Sequence, residues 1–128
     1  MKLIIAGSRT LNPSNEFINS LILFNSWDTT VREIVCGGAK GVDESGRLWC
    51  KGMADLCGSD SIKLVEFPAD WASYGIQAGP IRNKQMADYA DVLLLIWDGE
   101  SKGSKNMKKA MMDLYKPVYE VILRNHNA

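Results

Sequence analysis

Four short segments of the chain concentrate residue types that can hold an anion. They are Gly7-Ser8-Arg9-Thr10, Gly37-Gly38-Ala39-Lys40-Gly41-Val42-Asp43, Pro68-Ala69-Asp70-Trp71 and Asp98-Gly99-Glu100-Ser101-Lys102-Gly103-Ser104, and each directly follows a short apolar run. Glycine permits positive φ and lets a ligand approach the backbone closely. A helix starting just after such a loop presents free N–H groups and a partial positive charge, which suits phosphate. Arg9, Lys40, Arg82 and Lys102 supply cations, and Ser8, Ser101 and Ser104 supply hydroxyl donors. One such loop alone is an ordinary strand-to-helix turn. Glycine or serine beside a cation in three of the four points to a phosphate site. The candidate contacts are Gly7, Ser8, Arg9, Gly37, Gly38, Lys40, Gly41, Asp43, Arg82, Asn83, Gly99, Ser101, Gly103 and Ser104.

Two of these could also carry chemistry. Asp43 falls in the first turn of a helix, where a carboxylate serves as a cap, pairs at i,i+4 with Arg47, or faces a ligand; all three roles stand open. Arg82 falls in the first turn of a helix opened by Gly79-Pro80, where a cation opposes the helix dipole. A residue that breaks a local rule marks function more often than one that obeys it, which tilts Arg82 towards function, with Asn83 beside it; Asp43, through its ligand-facing role, is the other catalytic candidate. Trp71 and Tyr74 read equally as a lid stacking on a base or as an apolar plug.

The elements that must position these residues alternate. Lys2–Ala6, Glu33–Cys36, Lys63–Phe67, Val92–Trp97 and Val118–Leu123 are short and rich in Val, Ile and Leu, the pattern of buried strands. Between them run helical stripes: Phe17, Ile18, Leu21 and Ile22; Val42, Trp49, Met53 and Leu56; Met107, Ala110, Met111 and Leu114; and a stretch from Gly79-Pro80 to about Ala90. Five strands alternating with helices predict a Rossmann-like open parallel sheet of about five strands with helices on both faces. All four loops then share the edge beyond the carboxyl ends of the strands, where open α/β sheets bind ligands. Residues 1–123 read as one domain and 124–128 as a C-terminal tail.

With 128 residues and 46% hydrophobic content, the chain is large enough for a core without staples. Fifteen basic residues balance fifteen acidic ones, so bulk charge gives no footing for nucleic acid or anionic lipid. No apolar run approaches membrane length. Three cysteines without a C-x-x-C pair and one histidine, His126, argue against a zinc site and fit packing thiols in the cytoplasm. The last loop lacks the spacing of a P-loop, and the absence of G-x-G-x-x-G disfavours a standard NAD dehydrogenase.

Together with Ala78-Gly79-Pro80-Ile81-Arg82-Asn83 and Trp97, these loops form five ordered motifs between about Leu3 and Ala110. In that order they resemble the YspA-like, YpsA-related branch of the SLOG superfamily, small Rossmann-like domains of bacteria and phages. Their wider relatives include the LOG phosphoribohydrolases, the DNA-processing protein DprA, and domains that sense nucleotide-derived signals or ADP-ribose-like ligands. The resemblance implies a nucleotide-like ligand (ADP-ribose, NAD or a nucleoside phosphate) and a homodimer through helix faces. In LOG enzymes a P-G-G-x-G-T-x-x-E motif holds phosphate, and its glutamate works with an arginine to cleave an N-glycosidic bond. Here Gly103-Ser104 is similar to the G-T step, Arg82 looks like the arginine, and Met107 occupies the glutamate position. The resemblance therefore implies phosphate binding without LOG-type catalysis. Should a reaction occur, Asp43 is the leading replacement carboxylate, ahead of Asp98 and Glu100. An N-glycosidase-like hydrolase and a DprA-like single-strand DNA binder are the alternatives.

Overall fold

A computed structural model describes residues 1–58 and 61–124; the predicted tail beyond Arg124, His126 included, lies outside them. Five strands, β1 (Lys2–Gly7), β2 (Glu33–Cys36), β3 (Lys63–Glu66), β4 (Val92–Trp97) and β5 (Val118–Ile122), form one parallel sheet in the order β3-β2-β1-β4-β5. The helices are α1 (Asn15–Phe24), α2 (Val42–Cys57), the short α3 (Trp71–Tyr74), α4 (Ala78–Tyr89) and α5 (Lys102–Asp113). The predicted Rossmann-like α/β sheet is thus present, with helices on both faces. None of the described helices is long and apolar enough to cross a membrane.

Period-two alternation in the central strands explains the two faces. Leu3 and Ile5 of β1, with Leu94 and Ile96 of β4, pack on Ile18 and Ile22 of α1 and on Val42 and Trp49 of α2. Their neighbours Ile4, Ala6, Leu93 and Leu95 pack on Met86 and Ala87 of α4 and on Met107 and Met111 of α5. Every residue of β4 is buried, because a strand covered on both faces has no polar side. The α2 stripe ends early: Leu56 is 83% exposed, in a shallow groove beside Asn15 and Asn19 of α1.

Strand order sets the place of the site. The chain moves from β1 through β2 to β3 on one side, then crosses back to lay β4 against the other side of β1. The loops leaving β1 and β4 therefore diverge, and a crevice opens between them at the carboxyl edge. Below it the strands are in close contact: a Cβ on Gly7 would lie 1.7 Å from the Ile96 carbonyl oxygen.

Candidate functional site

The crevice has a volume of about 280 Å³, and its walls come from the β1 loop, the starts of α2 and α5, and the middle of α4. The wall built by α5 begins with Asp98, whose Oδ1 accepts from the N–H groups of Glu100 and Ser101 at 2.8 and 2.9 Å. This turn delivers the chain into α5, and those N–H donors hold the Asp98 carboxyl below its ordinary range. Across the crevice, the Ser8 hydroxyl accepts from the Asp98 N–H at 3.1 Å and ties the β1 and β4 loops together.

Ser101 is the N-cap of α5, yet its side chain makes no capping bond. The first-turn N–H groups of Lys102, Gly103 and Ser104 have no carbonyl one turn earlier within the helix to bond. A Cβ placed on Gly103 would meet nothing within 4 Å, so this turn borders open space. Ser104 lines the crevice and is only 4% exposed, and its hydroxyl is buried without a hydrogen-bond partner. A hydroxyl in that condition costs about 1–3 kcal/mol unless something satisfies it. Asn83 braces the turn from α4, donating to the Gly103 carbonyl at 3.3 Å and to Asn106 Oδ1 at 3.0 Å.

The loop after β2 is arranged differently. Asp43, 5% exposed, turns its carboxylate back over the loop and accepts from the Gly37 N–H at 3.2 Å. Burial raises its pKa; the Arg82 guanidinium and the N–H groups of Gly37, Ala39 and Gly7 act against that rise. Arg82 donates to the Gly37 carbonyl at 2.5 Å and to Asn83 Oδ1 at 3.0 Å. Gly41 adopts φ +77°, and a Cβ there would lie 2.4 Å from the Ser8 carbonyl oxygen. Cys36, beside this cluster, has its thiol pushed up to about 12 by burial first and by Asp43 and Glu66 next. It packs as a thiol and is no nucleophile near neutrality.

Two sequence readings need correction. Asp43 neither caps α2 nor pairs with Arg47. The cap position is Gly41, which offers no side chain, and Arg47 instead meets Glu44 at 3.6 Å and Glu66 at 3.9 Å. Arg82 is not in a first turn. Helix α4 begins at Ala78, so Arg82 sits in its second turn, and the dipole argument for it lapses. What holds a cation there is the buried Asp43 carboxylate and the Gly37 carbonyl.

Of the predicted contacts, Gly7, Ser8, Arg9, Asp43, Arg82, Asn83, Ser101, Gly103 and Ser104 line the crevice together. Gly37 and Gly38 line a second cavity of about 400 Å³ beyond the β2 and β3 ends, which shares Arg9, Ala39 and Arg82 with the first. Lys40 is exposed and lines neither; Gly41 and Gly99 shape turns without lining either. Among the other carboxylates, Asp98 lines the crevice and Glu100 does not. Met107 is buried against the crevice. Trp71 lines the second cavity, whereas Tyr74 lines neither. Sequence reasoning missed Asn106, the brace for Asn83, because a mid-helix asparagine carries no positional signal. It also missed Glu66 in the second cavity, although a residue ending a strand just before the Pro68–Trp71 loop could have been flagged.

No family model, curated protein or solved structure matches the chain.

Proposed function

We propose that the chain binds a phosphate-bearing, nucleotide-derived small molecule in the crevice between β1 and β4, as a SLOG-type domain. The observation that carries this reading is the Ser104 hydroxyl, buried and unpartnered in a first helical turn that is open at Gly103. A phosphate oxygen supplies the missing acceptor and meets the α5 dipole at the same time. Arg9 and Arg82, both lining the crevice, add positive charge. The two crevice carboxylates are already hydrogen-bonded within the protein, Asp43 to the Gly37 N–H and Asp98 to two backbone donors.

Binding is favoured over LOG-type cleavage because Met107 offers a thioether where that chemistry uses a carboxylate, and a thioether transfers no proton. A crevice of about 280 Å³ has room for a phosphate and a sugar.

The test is thermal unfolding with a panel of nucleoside phosphates, ADP-ribose and NAD. Ligand at a hundred times its Kd adds about 2.7 kcal/mol to the native state, a rise on the order of 8 °C for a domain of this size. Gly103→Asp has room, and aspartate is favourable in a first helical turn, so the apo protein keeps its Tm. Its carboxylate repels the incoming anion, and the ligand-induced rise disappears. A rise that survives Gly103→Asp, or no rise with any member of the panel, overturns the reading.

A further inference from the structure

We infer that the second cavity is the base subsite of the same ligand, with Trp71 as its stacking platform; this rests on the phosphate reading above. The cavity adjoins the crevice through Arg9, Ala39 and Arg82, so a molecule anchored on α5 that extends across these residues enters it. Its chemistry differs from that of the crevice. Pro68, Ala69 and the Trp71 indole provide flat apolar surface. Of the helices that begin nearby, α2 has its first N–H donated to the Ser8 carbonyl, and α3 is only four residues long.

Trp71 is 51% exposed and forms no aromatic pair among the described residues. Its ring edge is held by α4, where Gly79 has no side chain: a Cβ there would sit 3.4 Å from the indole. The residue as a whole is half-exposed and lines the cavity. A half-exposed indole with one edge held in place is suited to cover a nucleobase.

Glu66 sets a carboxylate in the cavity against Arg9 and Arg82, which the cavity shares with the crevice. Arg47 comes no nearer than 3.9 Å, and only to Oε1, which is outside hydrogen-bond range. An ionised carboxylate accepts and never donates, so it matches the N–H groups of a base edge. The ligand class that fits both cavities is a ribonucleoside 5′-phosphate, with its anion on α5 and its uncharged base against Trp71.

The experiment is calorimetric titration of the full chain with inorganic phosphate, ribose 5-phosphate and the four ribonucleoside 5′-monophosphates. Wild type, Trp71→Phe and Trp71→Ala are compared. The tightest monophosphate is expected to bind wild type roughly 10- to 100-fold more strongly than ribose 5-phosphate, the range for stacking one base. Trp71→Ala should bring that ratio to within about threefold while leaving ribose 5-phosphate affinity unchanged, and Trp71→Phe should keep most of it. If ribose 5-phosphate binds and the ratio is small in wild type, or survives Trp71→Ala, the base subsite is wrong and the phosphate site stands. If no phosphate compound binds wild type, the phosphate site is wrong and the base subsite falls with it.

Discussion

The loops after β2 and β4 look alike in composition, each combining glycines, a lysine and aspartate before a helix, yet the fold uses them in opposite ways. In the β2 loop the polar groups at its two ends are spent internally. The Gly37 N–H and carbonyl are taken by Asp43 and Arg82, the Val42 N–H donates to the Ser8 carbonyl at 3.3 Å, and Gly41 is pressed against the β1 loop. In the β4 loop the aspartate closes the turn, but the helix it leads into starts open, with Gly103 unobstructed and the Ser104 hydroxyl unsatisfied. The first loop is architecture that locks β1, β2 and α4 together. The second is left for a partner from outside. A glycine-rich loop is informative about binding only when its donors remain unspent.

The largest effect that would sharpen this contrast comes from alanine at one glycine in each loop. Gly41→Ala forces a side chain into left-handed backbone and against the Ser8 carbonyl, and should cost about 3 kcal/mol or more. Gly103→Ala, with open space around it, should change stability by less than about 0.5 kcal/mol. Urea unfolding measures both, and similar losses at the two positions would erase the distinction. Next in size is Arg82→Ala, which strips a guanidinium from the buried Asp43 and from the Gly37 carbonyl. A loss of about 2 kcal/mol in the unliganded protein is expected, because the Gly37 carbonyl and Asn83 Oδ1 each lose a charged donor while Asp43 keeps the Gly37 N–H. An unchanged midpoint would mean that Arg82 is held for the ligand alone.

The smallest effect concerns pH. Burial, opposed by Arg82 and backbone N–H groups, leaves the Asp43 pKa above its ordinary value of 3.8. A raised carboxyl favours folding while protonated, so its contribution is complete below the unfolded value and is lost as pH rises through the folded one. Wild type should therefore lose stability relative to Asp43→Asn as pH increases above about 4. Unfolding both proteins across pH 4–8 reads the difference, and a parallel pair of curves would show that Asp43 titrates as it does in the unfolded chain.

How much of this is legible in sequence follows from the range of each interaction. The five strands and their helices are written in local periodicity, and the shared edge of the four loops follows from parallel pairing, so both are readable from runs such as Val92–Trp97. Most of the crevice residues are readable too, because glycine, serine and arginine cluster where strands end. Partnership is not. That Asp43 turns to Gly37 rather than to Arg47, or that Asn83 finds Asn106, depends on how α2, α4 and α5 pack, over separations from 6 to 23 residues. Arg82 was misplaced by one turn for a similar reason: Gly79-Pro80 marks the first turn of α4 without saying that the helix starts at Ala78. The second cavity is visible only once β2 and β3 lie side by side.

The central claim is that α5, and not the β2 loop, receives the phosphate. Backbone amide chemical shifts measure this directly, by titrating the ¹⁵N-labelled protein with ribose 5-phosphate and with the nucleoside phosphate that binds most tightly. With both ligands, the amides of Lys102, Gly103 and Ser104 should move most, and those of Gly37 to Gly41 should move little with ribose 5-phosphate. Shifts centred on Gly37 to Gly41, with Gly103 and Ser104 unmoved, would contradict the account.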